Sequence, residues 1–189
     1  LVHGANVEIA SRSYNQVDIC NLESVKAYLS TIKKKMVHID YVVNTAGLLI
    51  KKPIDRLSIE ELTSLIGVNY TGAVNVAIGA KPYLLETSGM LMNFTSSSYT
   101  RGRAFYAVYS STNAAIVNFT QALAEEWSNE GIRVTCINPE RTATPMRTAN
   151  FGIEPAGLLL SAQEVALASL KVLGTQNTGI IVDVRKDGR

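Results

Sequence analysis

Two polar groups in the middle of the chain have the residue types and spacing of a proton-transfer site. The hydroxyl run Ser96 to Ser98 follows an apolar segment, and Tyr109 lies thirteen positions after Ser96, at the start of a helical pattern. A serine at a strand end and a tyrosine at a helix start can hold one carbonyl oxygen from two sides. The tyrosine gives or takes the proton, and the serine stabilises the oxygen as its charge changes. Ser96 is the predicted serine, and Ser97 is the alternative.

Strand and helix patterns alternate along the chain, which is typical of a mainly parallel sheet covered by helices. Short apolar runs predict strands at residues 6–10, 17–19, 39–43, 90–94, 132–137 and 179–184. Capping residues and apolar spacing predict helices that begin after Asn21, Ser58 and Ser161, and further helices over residues 74–86 and 109–127. We therefore expect a doubly wound, Rossmann-like α/β fold in one domain over residues 1–189.

The sequence opens without the strand, glycine-rich turn and helix that begin a dinucleotide-binding fold. Leu1 to Asn6 has the pattern of the end of that first helix, running into the second strand. We therefore expect an N-terminally incomplete domain, from which about 30 residues, roughly one strand–helix unit, are absent.

Composition excludes several classes of partner. A net charge of +2 gives no reason to expect nucleic acid or a membrane surface, and no apolar run approaches the ~18 residues of a membrane span. Cys20 and Cys136 lie far apart in apolar contexts, which predicts two buried thiols in a reducing compartment. We expect a cytoplasmic protein and no metal site.

In their order along the chain, these motifs resemble the short-chain dehydrogenase/reductase family. Ser96 and Tyr109 match the family's catalytic pair, and Asn69 in GVNYTG matches an asparagine that holds a water in the proton relay. A buried amide that bonds backbone is the alternative for Asn69. The family has a lysine four residues after the tyrosine, where this chain has Asn113. The resemblance therefore implies a catalytic set that lacks one positive charge.

The resemblance also implies a nicotinamide cofactor. Ser11 and Arg12 follow the predicted strand at residues 6–10, and a serine–arginine pair there suits the additional phosphate of NADP better than NAD. A solvent-facing loop arginine is the alternative. Asp18 resembles the family's adenine-contacting aspartate. The other cofactor-binding residues that the resemblance implies are Asn44, Ala46, Gly47, Pro139, Thr142 and Thr144.

A narrower resemblance concerns the segments SSSYTRGRAFYAVYSSTN, INPERTATPM and NFGIEP. They are similar to the reductase domain of bifunctional enzymes that form CDP-ribitol. This implies NADP-dependent reduction of ribulose 5-phosphate to ribitol 5-phosphate, and a fused or associated cytidylyltransferase domain. Arg101, Arg103, Arg141 and Arg147 flank the predicted site, and arginine forks suit a phosphate, although surface arginines are the alternative. The first three are the predicted substrate-binding residues.

The resemblance further implies a homodimer or homotetramer that associates through the helices at residues 74–86 and 109–127. A second function stays open at this point. Asn113 and the absent glycine-rich turn also fit a catalytically degenerate domain that dimerises or supports a cytidylyltransferase.

Overall fold

The structure, a computed structural model, describes residues 4–186 and alternates helices with strands. The strands are β1 (Tyr41–Asn44), β2 (Met90–Phe94), β3 (Arg133–Pro139) and β4 (Ile181–Val184). The α-helices are α1 (Arg12–Asn15), α2 (Leu22–Met36), α3 (Ile59–Ile66), α4 (Gly72–Thr87), α5 (Ala107–Glu126), α6 (Pro145–Phe151) and α7 (Ala162–Leu173). Across residues 4–186, no helix combines the length and apolarity needed to cross a membrane.

The four strands form one parallel sheet in the order β1-β2-β3-β4. In the centre of the sheet Leu91 pairs with Val42 on one side and with Val134 on the other. Each connection between neighbouring strands contains at least one helix, as parallel pairing requires. The carboxyl ends of all four strands therefore lie at one edge of the sheet.

Helices cover both faces of the sheet, which confirms the doubly wound α/β fold. Leu91 and Val134 pack on one face with apolar residues of α2, α4 and α5. Met90 and Met92 point to the other face, where they pack with Val165 of α7. All four strand residues are fully buried, so β2 and β3 form the centre of the core.

Helix α2 shows how the sequence sets one of these layers. The side chain of Asn21 accepts hydrogen bonds from the first turn, as predicted for a helix cap. Val25 and Leu29 then lie one turn apart on the buried face. Gly79 of α4 lies opposite them, because a Cβ there would stand 2.8 Å from the Val25 side chain. The glycine lets the two helices approach closely.

Three predictions for the first twenty residues are wrong. Residues 6–10 and 17–19 form no strand, since no neighbouring strand in the described part of the chain accepts their hydrogen bonds. Val7 and Ile9 are exposed instead, and Ser11 caps the short helix α1. Cys136 is buried in β3, but Cys20 is exposed because it lies in the turn before α2.

Gly89, which connects α4 to β2, offers a test of this packing. A Cβ at Gly89 would stand 2.5 Å from the backbone oxygen of Asp40, which itself accepts a hydrogen bond from Met90 N. We expect Gly89→Ala to lower the free energy of unfolding by about 1–3 kcal/mol, because backbone cannot move aside as a flexible side chain does. Urea denaturation of the full-length protein measures this change. Gly102→Ala is the matched control, since nothing lies within 4 Å of its Cβ position; equal stability of the two variants would contradict the packing argument.

Candidate active site

A cavity of about 570 Å³ lies at the carboxyl ends of β1, β2 and β3. Open parallel sheets bind ligands at this edge, and the volume is that of a small-molecule site. Its walls are formed by the segment after each of the three strands, together with α5 and α6. The predicted site residues that line it are Ala46, Gly47, Asn69, Ser96, Arg103, Tyr109, Asn113, Pro139, Arg141, Thr142 and Thr144.

The serine and the tyrosine come together at this cavity from β2 and α5. Ser96 caps a short 3-10 helix at Ser97–Tyr99, and its Oγ accepts hydrogen bonds from the backbone N and the Oγ of Ser98 at 3.3 and 3.2 Å. Tyr109 lies in the first turn of α5. Ser97 also lines the cavity, but Ser96 is the serine that lowers the pKa of Tyr109.

Burial raises the pKa of the Tyr109 hydroxyl, and the nearby polar side chains of Ser96 and Asn113 oppose the rise of this pKa only in part. The ordinary tyrosine pKa is about 10. The phenol is therefore protonated at neutral pH and can donate its proton to an oxygen in the cavity.

Asn113 lies one turn after Tyr109 and is held against its own helix. Its Nδ2 donates to the backbone oxygen of Tyr109 at 2.8 Å. The hydroxyl of Thr95 donates to the backbone oxygen of Asn113 at 2.9 Å and to its Oδ1 at 3.3 Å. The side chain is 7% exposed. Asn113 therefore presents a fixed, neutral amide where the family's lysine would present a charge.

Asn69 lies in a π-helical turn, Gly67–Thr71, between α3 and α4. Its Oδ1 accepts from the backbone N of Leu48 at 2.7 Å, and its Nδ2 donates to the backbone oxygen of Leu48 at 2.9 Å and to Thr112 Oγ1 at 3.2 Å. Insertions of this kind are frequent at functional sites. The amide joins the segment after β1 to α5, so it fixes the distance between two cavity walls.

The segment after β3 forms a third wall. Pro139 ends the strand, and the hydroxyl of Thr142 donates to the backbone oxygen of Glu140 at 2.8 Å. Thr144 caps α6, because its Oγ1 accepts from the backbone N of Arg147 at 3.1 Å. Both threonines therefore fix the path of the chain from the sheet into α6.

Helix α6 carries a cation that is held from two sides. Arg147 makes two hydrogen bonds to the carboxylate of Glu154, from Nε to Oε2 at 2.6 Å and from Nη2 to Oε1 at 2.9 Å. Its guanidinium also lies 3.9 Å from the centre of the Phe151 ring. Arg147 keeps the pKa of Glu154 below its ordinary value, so the carboxylate stays charged at neutral pH.

An aromatic row leads from α6 back to Tyr109. The rings of Phe151 and Tyr106 meet edge to face at 5.8 Å, and those of Tyr106 and Tyr109 at 6.2 Å. All three residues line the cavity. Sequence analysis missed Tyr106, whose spacing of three residues from Tyr109 is the available signal. Phe151 and Glu154 lie in the segment NFGIEP, but their roles carry no local signal, since the contact of Glu154 with Arg147 depends on how the chain turns after α6.

The three arginines predicted to bind substrate differ in placement. Arg103 is half-buried at the cavity, and its guanidinium has no partner among residues 4–186. Arg141 lines the cavity with its side chain 52% exposed, 3.9 Å from Glu154. Arg101 is exposed and does not line the cavity. Two arginines are thus available to an anion in the cavity.

Four of the predicted cofactor-binding residues lie outside the cavity lining. Ser11, Arg12 and Asp18 form a separate group, in which Arg12 pairs with Asp18 at 3.2 Å. The backbone N–H of Cys20, and then Arg12, lower the pKa of Asp18. Asn44 ends β1, and its Oδ1 accepts from Ala46 N at 3.3 Å, which shapes the turn that does line the cavity.

Comparisons with known proteins agree with this geometry. Residues 5–152 match the sequence model of the short chain dehydrogenase family. The chain is 53% identical over 174 residues to the bifunctional ribulose 5-phosphate reductase/CDP-ribitol pyrophosphorylase Bcs1 of Haemophilus influenzae. That match covers 92% of this chain and 36% of the relative, so the chain spans about a third of the relative's length.

Solved structures share the fold. The 3-ketoacyl-(acyl-carrier-protein) reductase from Brucella melitensis, complexed with NADH, aligns with a TM-score of 0.84 and 26% identity, over 91% of this chain and 76% of that one. A gluconate 5-dehydrogenase from Burkholderia cenocepacia, in complex with NADP and tartrate, aligns with a TM-score of 0.81 and 21% identity, over 89% and 72%. The match over residues 5–152, the 53% identity and the shared fold lead to one conclusion: the chain belongs to the short-chain dehydrogenase family of oxidoreductases.

Proposed function

We propose that this chain is the reductase domain of an enzyme that reduces a ketose phosphate with NADPH, most specifically ribulose 5-phosphate to ribitol 5-phosphate. The observation that carries the proposal is one cavity that holds a protonated Tyr109, the Ser96 hydroxyl and an arginine without a partner among the described residues. The bifunctional Haemophilus relative is named for reduction of this substrate, which supports the same assignment here.

In the proposed reaction, Tyr109 donates its proton to the ketone oxygen as the ketone becomes an alcohol. Ser96 donates a hydrogen bond to the same oxygen and stabilises the charge that develops on it. A bound nicotinamide cofactor supplies the hydride. Asn69 bonds the segment after β1 to α5 and so fixes the distance between two walls of the cavity. Because burial keeps Tyr109 protonated, the site favours proton donation, and therefore reduction, at neutral pH.

The residues present fit a nicotinamide dinucleotide. The turn at Ala46 and Gly47 presents backbone to the cavity, and Pro139, Thr142 and Thr144 line the wall across from it. We infer that Pro139, Thr142 and Thr144 contact the nicotinamide half of the cofactor, and that the turn at Ala46 and Gly47 packs near its adenosine part. The side chain of Arg12 is 68% exposed and forms an ion pair with Asp18. An exposed guanidinium in that position can bind the additional phosphate of NADPH, which supports NADPH over NADH.

We infer that Arg103 and Arg141 hold the substrate phosphate. Both line the cavity, and Arg103 lacks a partner among the described residues. A phosphate dianion would supply the acceptors that its guanidinium lacks, and charge-assisted hydrogen bonds of this kind contribute about 1.5–3 kcal/mol each. Arg101 is outside the cavity lining, so it is assigned no contact with the phosphate.

The unpaired thiols Cys20 and Cys136 are consistent with a reducing compartment, and we propose a cytoplasmic location. The Haemophilus relative is also named as a pyrophosphorylase. A fused or associated cytidylyltransferase is therefore the proposed partner domain.

The substrate assignment is tested by NADPH oxidation, followed by absorbance, with the full-length protein. We expect Arg103→Gln to raise the KM for ribulose 5-phosphate roughly tenfold or more and to leave the KM for NADPH unchanged. Arg101→Gln is the matched control and is expected to leave both values unchanged. NADH and unphosphorylated ribulose complete the assay. Equal rates with and without the phosphate would refute the substrate, and equal rates with both cofactors would refute the cofactor preference.

Self-association is proposed through α4 and α5. Ile78 and Leu85 are 50% and 48% exposed on α4, and their spacing of seven residues puts them on one helix face. We expect sedimentation velocity of the full-length protein to show a dimer or tetramer, and Ile78→Glu to increase the monomer fraction because it buries a charge. A monomer at every concentration of the unmodified protein would contradict this.

Asn113→Lys distinguishes an enzyme from a degenerate domain. A lysine in this position lowers the pKa of Tyr109 and so strengthens it as an acid. We expect turnover to rise roughly tenfold or more, since general acid–base help is worth about 10²–10⁴-fold, with little change in the KM for the sugar phosphate. The onset of the reverse, oxidative reaction should also move to lower pH.

The double variant Asn113→Lys/Tyr109→Phe is the control, because the lysine then has no proton donor to tune. If lysine brings no increase in turnover, or if the gain survives loss of the Tyr109 hydroxyl, the assignment of this pair is wrong. The degenerate domain would then be the better proposal.

A further inference from the structure

The neutral side chain of Asn113 leaves open which group, if any, provides positive charge near Tyr109. The cations among the residues that line the cavity are Arg103, Arg141 and Arg147. They differ in how firmly the protein holds them, and a fixed charge acts on a neighbouring acid far more consistently than a mobile one.

Arg147 is the fixed cation of the three. Two hydrogen bonds to Glu154 and the face of Phe151 hold its guanidinium, and its side chain is 20% exposed against 52% for Arg141. Arg103 has no partner within residues 4–186 and is assigned above to the phosphate. The edge-to-face row of Phe151 and Tyr106 connects α6 to the start of α5, and a charge is screened less across apolar rings than across water.

We propose that Arg147 is a positioning residue that supplies to Tyr109 part of the positive charge that Asn113 lacks, and that Glu154 sets how much of this charge acts. The inference rests on the role given to Tyr109 in the proposed function. The charge of Arg147 lowers the pKa of Tyr109, whereas burial raises it. This is the direction in which the missing lysine charge would act.

Other groups around Tyr109 act alongside this charge. The titratable and charged residues that face it from the surrounding segments are Lys51, Arg103, Tyr106, Glu140, Arg141 and Arg147. Beside the dominant effect of burial, Tyr106 raises the pKa of Tyr109 and Arg147 lowers it. Lys51 lies 4.8 Å from the centre of the Phe151 ring, which Arg147 also contacts. Arg147→Gln leaves the other five groups in place. Glu154→Gln also removes the carboxylate 3.9 Å from Arg141, and this second change acts on Tyr109 in the same direction as the release of Arg147.

Removing each partner of the ion pair in turn provides a test, because the two variants are expected to change the ionisation of Tyr109 in opposite directions. If Arg147 and Glu154 only fasten α6 to the following segment, removal of either partner breaks the same contact and has the same effect. If the charge of Arg147 acts on Tyr109, Arg147→Gln makes Tyr109 harder to ionise. Glu154→Gln then makes it easier, because the neutralising carboxylate is lost while the cation stays.

The ionisation of Tyr109 is measured by NMR on the full-length protein with ring-¹³C tyrosine, without substrate or cofactor, and Tyr109→Phe identifies its signal. The measurement is made at one pH near the ordinary tyrosine pKa of about 10, within the range where circular dichroism is unchanged. We expect Arg147→Gln to lower the ratio of ionised to protonated Tyr109 about threefold, as a pKa higher by about 0.5 would do. We expect Glu154→Gln to raise the ratio, and Arg147→Lys, which keeps the charge, to remain near the unmodified protein.

Changes of this ratio in the same direction for Arg147→Gln and Glu154→Gln, or no change in either, overturn the proposal. Turnover gives a second readout, since Arg147→Gln should lower kcat for reduction and leave the KM for the sugar phosphate unchanged. The titration needs no substrate. Opposite changes in a protein that reduces no ketose phosphate would therefore refute the proposed function alone, and unmoved titrations in an active enzyme would refute this inference alone.

Discussion

The parallel pairing of β1, β2 and β3 is the constraint on which the site depends. In-register pairing places Asn44 beside Asn93, and Cys136 beside Asn93 on the other side, so the three chains leave the sheet at the same level. The segments that follow form three walls of one cavity. No single wall contains a complete site: the serine follows β2, the tyrosine lies in the first turn of α5, Arg103 lies between them in the chain, and Arg141 follows β3. If the pairing of one strand slipped by one residue, the segment after that strand would also move by one residue. Every side chain of the strand would then point to the opposite face of the sheet.

Local signals in the sequence predicted most of the elements from residue 21 onward. Asn21, Ser58 and Ser161 cap helices as expected, and the last two form complete capping boxes. Residues 90–94 form the predicted strand. These predictions succeed because caps and apolar spacing act within one or two turns of chain. The predicted strands at 6–10 and 17–19 fail for the opposite reason, since a strand depends on a distant neighbour that local sequence does not reveal.

The same distinction applies to the site. The spacing of Ser96 and Tyr109 and the turn at residues 44–47 are local, and the structure brings Ser96, Tyr109, Ala46 and Gly47 to one cavity. The contacts that fix the cavity walls are not local. The amide of Asn69 bonds Leu48, twenty-one residues earlier, and Thr112, forty-three residues later. Two roles were open for Asn69 from its motif alone. One role was to hold a water in the proton relay, and the other was a buried amide that bonds backbone. The structure shows the Asn69 side chain bonded to backbone. Asn69 also lines the cavity, as the relay role requires.

The neutral amide of Asn113 and the half-buried ion pair between Arg147 of α6 and Glu154 both bear on whether the site favours reduction or oxidation. An unperturbed tyrosine is ionised to about one part in a thousand at pH 7, and burial reduces this fraction further for Tyr109. An oxidative reaction needs the phenolate to accept a proton, so it is limited by that small fraction. Reduction needs the phenol, which is nearly the whole population. A weak positive field is then sufficient, because it only has to strengthen an acid that is already in the required form. Arg147, partly neutralised by Glu154, provides a field of that kind, whereas a fully exposed charge would be screened by solvent and salt.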